Sequence, residues 1–175
     1  MVNFFYLDND PKICAQYYCN KHIIKIPIEI AQILSKIHYE LKSGINKPEV
    51  WKEFYKRILE LKEQTVSFIK AEKAKGKTFM AIGASTKANT TLQMFGLDHH
   101  LIYAISERNP MKHGLKCVGS NIPIISEEEL RKAKPDYVIV NIWHFIDEIL
   151  KREKQLLLNG TKIIVLCPQF KIISG

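Results

Sequence analysis

Three short stretches of the 175-residue chain combine residue types that bind anions or move protons. In Gly83-Ala84-Ser85-Thr86-Lys87-Ala88-Asn89-Thr90, one glycine is followed by hydroxyls, an ammonium and a carboxamide. Glycine permits a tight backbone approach, and the unpaired N–H groups at a helix start attract anions. Ser85 and Thr86 can donate hydroxyls and Lys87 a charge, which suits a phosphate. The spacing matches neither G-x-G-x-x-G nor the G-x-x-x-x-G-K-[ST] loop. A plain capped turn between strand and helix therefore accounts for the same residues.

In Ser106-Glu107-Arg108-Asn109-Pro110, Glu107 lies 24 residues beyond Gly83. Dinucleotide folds place an acid at about that distance to bond a ribose hydroxyl. Arg108 can pair with a phosphate, or with a surface carboxylate. In Asn141-Ile142-Trp143-His144-Phe145, Trp143 can stack on a base or sugar face and His144 can transfer a proton. His144 can equally be a helix-start residue bonded to backbone or ligand.

No metal site is expected. Cys14, Cys19 and His22 would come near one another on a helix, but a fourth ligand is missing and the cysteines lack C-x2-C spacing. His99-His100 reads as an exposed turn. The chain contains no Gly-x-Gly, so neither S-adenosylmethionine nor NAD has an evident seat.

The elements that must position these residues follow from apolar spacing. Phe79–Ile82, Leu101–Ile105, Tyr137–Ile142 and Lys162–Leu166 read as buried strands, and Ile122–Ile125, with Pro123 inside it, as an edge strand. Thr86–Phe95, Ser126–Ala133 and His144–Leu158 read as helices between them, the second opened by a Ser126/Glu129 capping box. Strands alternating with amphipathic helices predict a small α/β, Rossmann-like, doubly wound parallel sheet. Its ligand crevice would lie at the carboxyl ends of the strands. A long helix, Pro48 to Lys75, precedes the sheet, and its Trp51, Phe54 and Ile58 stripe is expected to pack on the sheet domain or on the first 46 residues. Those first residues are expected to form a helical extension, with one helix starting at Asp10-Pro11 and another running Ile28 to Lys42. The organisation expected is thus residues 1–46 as the extension and 47–175 as the sheet domain.

Composition narrows the class. The net charge is +8, but 22 of the 26 basic residues are lysine and they are spread evenly, which argues against nucleic acid. No apolar run is long enough to span a membrane, and Met1–Asp10 does not read as a secretory signal. Four scattered cysteines then fit reduced thiols in a cytoplasmic setting.

The order Gly83–Leu92, Glu107-Arg108-Asn109-Pro110, Lys112, Gly114, Gly119, Ile122-Pro123-Ile124, Pro135-Asp136-Tyr137, Trp143-His144-Phe145 and Ile149 resembles the C-terminal domain of S-adenosylmethionine-dependent sugar C-methyltransferases. The resemblance runs from about 47 to about 170. That family methylates a carbon of keto-sugars carried on a nucleoside diphosphate. The resemblance implies that Gly83, Ala84, Ser85, Thr86, Lys87 and Asn89 face the pyrophosphate or sugar. It places Glu107, Arg108 and Asn109 at the nucleoside end, and Trp143 and His144 along the same crevice. The family has Lys-Gly-Asn where this chain has Lys87-Ala88-Asn89, and Asp where it has Glu107. Donor domain and sugar-deprotonating residues lie upstream in the family. The resemblance therefore implies a nucleotide-sugar-binding module that takes its methyl donor from another chain and binds no cofactor alone. Two other readings stay open: a non-catalytic interaction or regulatory protein on the same fold, and a stand-alone enzyme on nucleotide sugars with His144 as base. Residues 1–46 resemble the start of proteins from large DNA viruses and phages, which would place the protein in a host cytoplasm.

Overall fold

The structure is a computed structural model. It describes residues 29–175 in full, and ahead of them the backbone of Phe4–Phe5, Ala15–Cys19, His22–Ile26 and Ile28. The chain divides into two compact units, Met1–Lys56 and Arg57–Gly175.

In the first unit, β1 (Phe4–Phe5), β2 (Ala15–Cys19) and β3 (His22–Ile26) form an antiparallel sheet in that order. α1 (Ile28–Ser43) follows and matches the second expected helix. The first expected helix would start at Asp10-Pro11, which lies outside the described residues; Ala15–Cys19, beyond it, is strand. Tyr17-Tyr18 and Ile23-Ile24 are aromatic and β-branched, types that suit a pleated ladder better than a helix. Cys19 and His22 are thus cross-strand partners rather than neighbours on a helix, and Cys14 lies outside the described residues.

α2 (Pro48–Ala74) leads into the second unit. Then come β4 (Phe79–Ile82), α3 (Thr86–Phe95), β5 (Ile105–Ser106), β6 (Ile124–Ile125), α4 (Glu127–Ala133), β7 (Tyr137–Val140), α5 (Ile146–Arg152), α6 (Lys154–Leu158), β8 (Lys162–Val165) and β9 (Lys171–Ile173). The strand order is β6-β5-β4-β7-β8-β9, parallel except for β9, which runs antiparallel to β8. This is the doubly wound α/β sheet that the alternation predicts, with Pro123 just ahead of an edge strand.

β4 and β7 are buried along their whole length, which is why they read as unbroken apolar runs. Phe79, Ala81, Tyr137 and Ile139 face one core with Ile69 of α2 and Leu92 of α3. Met80, Ile82, Val138 and Val140 face the other with Leu130, Ile149 and Leu156 of α4, α5 and α6. Phe79 and Tyr137 stack at 4.7 Å, and Phe68 meets Tyr137 edge-on at 5.4 Å. The Tyr137 hydroxyl donates to Glu72 at 2.8 Å, tying the end of α2 to the sheet.

Two expectations change. The α2 stripe is in the core only from Ile58 onward, whereas Trp51 and Phe54 are 53% and 46% exposed. The helix expected over 144–158 is a short 3-10 turn (Trp143–Phe145) followed by α5 and α6, broken at Glu153. Glu153 is only 1% exposed, and its carboxylate accepts from Arg131 at 2.7 and 2.8 Å and from Arg152 at 3.1 Å. Among the described residues no helix is long and apolar enough to cross a membrane.

Candidate functional site

From β4 the chain winds to β5 and β6 on one side. From β7 it winds to β8 and β9 on the other. The reversal falls between β4 and β7, where a doubly wound sheet opens a crevice. Gly83 leaves β4 at φ 91°, a left-handed conformation natural to glycine. A Cβ there would stand 3.0 Å from the Ile142 side chain, which leaves β7 beside it. The missing side chain is therefore used to seat Ile142.

Ser85 Oγ accepts from the Ala88 N–H at 3.1 Å and caps α3, so its hydroxyl serves the turn. The Ala84 carbonyl accepts from Lys112 Nζ at 2.9 Å. Lys112 also stands 3.5 Å from Glu107 Oε2, and so joins the turn after β4 to the turn after β5. Glu107 Oε1 accepts from the Asn109 N–H at 3.2 Å, and Asn109 Oδ1 accepts from the Met111 N–H at 3.1 Å. Both bonds fold the loop back on itself. Arg108 reaches across to Glu148 on α5 at 3.5 Å.

These groups enclose a cleft of about 190 Å³ whose walls include Gly83, Ser85, Glu107, Arg108, Lys112 and Arg152. A second cleft of about 290 Å³ shares Glu107, Arg108 and Glu127 with it and continues to His113 and Arg131. Beside the first, Lys87 Nζ lies 5.1 Å from the centre of the Trp143 ring. Four of the residues named from sequence, Gly83, Ser85, Glu107 and Arg108, thus share one cleft, and Lys87 meets Trp143. Ala84, Thr86, Asn89, Asn109 and His144 do not line it. His144 is exposed, its ring 4.3 Å from that of Phe145, and no hydrogen bond to its ring is found among the described residues. Asn89 Oδ1 and both polar side-chain atoms of Asn141 are buried without a hydrogen-bond partner among the described residues.

Sequence reasoning did not name Glu127 and Arg152, and it quoted Lys112 without a role. Glu127 and Arg152 pair at 2.8 Å across two helices 25 positions apart, which no local pattern signals. Burial pushes the Glu153 carboxyl up, but hydrogen bonds from Arg131 and Arg152 outweigh it and hold the group below its ordinary range. Arg108, Lys112 and Arg152 line the cleft with Glu107 and Glu127, and Glu148 and Glu153 pair with the two arginines from its rim, so its cations are held by carboxylates that a ligand would have to displace or share. Burial pushes the Cys117 and Cys167 thiols up, so neither is an activated nucleophile.

Residues 16–168 match the family of C-methyltransferase C-terminal domains. The chain belongs to that family. Over 146 residues it is 33% identical to the C-methyltransferase NovU of Streptomyces niveus, covering 83% of this chain and 34% of that protein. A C-methyltransferase C-terminal domain thus spans about a third of the relative's length here. The family match begins within β2, so it also takes in residues 16–46, which the sequence reading set apart as an extension.

Proposed function

We propose that this domain holds the nucleoside diphosphate end of a nucleotide sugar for methylation at a sugar carbon, with the methyl donor bound on another chain. The observation that carries the reading is the convergence of the Gly83 turn, Glu107, Arg108 and Lys112 on one cleft at the switch point. The diphosphate lies against the start of α3, where free N–H groups and the positive helix end meet Lys112 and Arg108. Glu107 is the acceptor for a ribose hydroxyl. The adjoining cleft takes the nucleoside, and the Lys87–Trp143 pair offers a flat, cationic edge to the sugar. The donor is assigned elsewhere because Gly83 is the turn's one glycine and the Ile142 side chain packs against it. Proton transfer from the sugar carbon falls to groups outside this cleft, because the His144 ring is exposed and has only the neighbouring Trp143 and Phe145 rings, and no hydrogen bond, beside it among the described residues.

A thermal-shift panel tests this. UDP-glucose and dTDP-glucose should raise Tm and inorganic phosphate should do so less, while S-adenosylmethionine alone should leave it unchanged. Stabilisation by S-adenosylmethionine alone, or by no nucleotide sugar at millimolar levels, would overturn it.

A further inference from the structure

In the second unit, the turn after α3 brings three metal-ligating side chains together. Tyr103, just beyond it, donates its N–H to Phe79 at the start of β4, so the turn lies at the amino ends of the strands, away from the crevice. Asp98, His99 and His100 each offer one ligand atom, and these atoms lie within 4.8 Å of one another. Neighbouring side chains on an extended strand point to opposite faces. Here the turn holds the two imidazole rings 3.9 Å apart, centre to centre. Its backbone is pinned. The Asp98 carbonyl accepts from the Leu101 and Ile102 N–H groups at 3.1 and 2.8 Å, and the His99 N–H donates to the Ser120 carbonyl at 3.1 Å. The His100 N–H donates to Asp98 Oδ1 at 2.9 Å, which orients the carboxylate. Leu97 and Ile102 are buried and anchor the turn at both ends.

We propose that Asp98, His99 and His100 form a site for a divalent transition ion of the Zn2+ class, with an open coordination position. The donor set selects the ion: two imidazoles and one carboxylate suit Zn2+, whereas Ca2+ and Mg2+ take oxygen alone and Cu+ prefers sulfur. Zn2+ stands about 2.0–2.1 Å from nitrogen and oxygen ligands, which sets them about 3.4 Å apart in a tetrahedron. Both histidines are exposed, so rotation of their rings closes the difference. The pinned backbone leaves little else to order on binding. Three protein ligands leave a fourth position to water or an anion. Asp98 also lines a cleft of about 340 Å³ with Gln93, Gly119 and Ser120. Ser120 is 3% exposed, and its hydroxyl has no hydrogen-bond partner among the described residues. Buried hydroxyls are ordinarily paired, and a water or anion carried by the ion supplies this one with a partner.

Zn2+ titrated into the full, reduced chain against a chromophoric chelator tests the site, and no nucleotide sugar enters the measurement. Wild type should bind with a Kd on the order of 10 µM. His99→Gln, His100→Gln and Asp98→Asn should each weaken that binding about tenfold or more. Tm without metal should stay unchanged, because the histidines are exposed and Asp98→Asn keeps the Oδ1 that accepts from the His100 N–H. Co2+ in place of Zn2+ should give the visible bands of nitrogen and oxygen ligation, without charge transfer from thiolate. A wild type that binds no Zn2+ at about 100 µM overturns the proposal. Variants that bind as tightly as wild type overturn it, as does a thiolate charge-transfer band, which assigns the ion to cysteines instead.

Discussion

At the scale of single residues, Lys112 holds the cleft together, because one ammonium bridges the Ala84 carbonyl and Glu107. Lys112→Met keeps the aliphatic stem and removes the charge. It should weaken nucleotide-sugar binding by about 1–3 kcal/mol, the worth of a charge-assisted hydrogen bond, as read by calorimetry. Gly83→Ala should destabilise the fold by about 1–3 kcal/mol, since its φ of 91° strains any side chain and the new Cβ meets Ile142. A chemical-denaturation midpoint within error of wild type would remove Gly83 from the positioning of the turn. Tyr137 gives a pH signature. Burial, together with its bond to Glu72, pushes its hydroxyl up to about 12. Its contribution to stability is full below about 10 and is lost as pH rises toward 12. Tyr137→Phe should flatten the stability profile in that window. Asp136 works at the other end: the Lys77 ammonium and the Thr78 N–H lower its carboxyl to about 2 from 3.8. Stability should therefore fall as pH drops from about 4 toward 2, and Asp136→Asn should remove that loss.

At the scale of elements, legibility followed burial. β4 and β7 announce themselves because both faces are covered and every residue is apolar. The Ser126 box is local chemistry and is present in full: Ser126 Oγ accepts from the Glu129 N–H at 3.2 Å and the Glu129 carboxylate accepts from the Ser126 N–H at 2.8 Å. The β2–β3 hairpin was not legible, because its strands are five residues each and share an Asp-Pro helix signal just upstream. β9 is three residues at a sheet edge, too short and exposed to declare a period. The α2 stripe shows a different limit. Its spacing is the same at Trp51 and at Phe68, but periodicity records which side a residue is on, not whether anything covers it there. Ile69→Ala, fully buried, should cost about 2–5 kcal/mol. Phe54→Ala, half exposed, should cost well under half as much as the ~3–5 kcal/mol of a fully buried phenylalanine. Equal losses in urea denaturation would mean that Phe54 is covered in solution.

At the scale of the whole molecule, the site divides the same way. Gly83, Ser85, Glu107 and Arg108 were legible because a doubly wound sheet delivers the turns after its first two strands to one crevice. Arg152 and Glu127 were not, because α4 and α5 meet only through the fold. Family membership shows a C-methyltransferase C-terminal domain, and the proposal that this domain grips a nucleoside diphosphate rests on the shared cleft. The direct measurement is a calorimetric titration of dTDP-glucose and UDP-glucose into the wild-type chain and into Lys112→Met, in the absence of S-adenosylmethionine. The account predicts one site per chain for at least one of the two sugars, weakened about tenfold or more in the variant. Absence of binding to the wild type, or equal binding by wild type and variant, would contradict it.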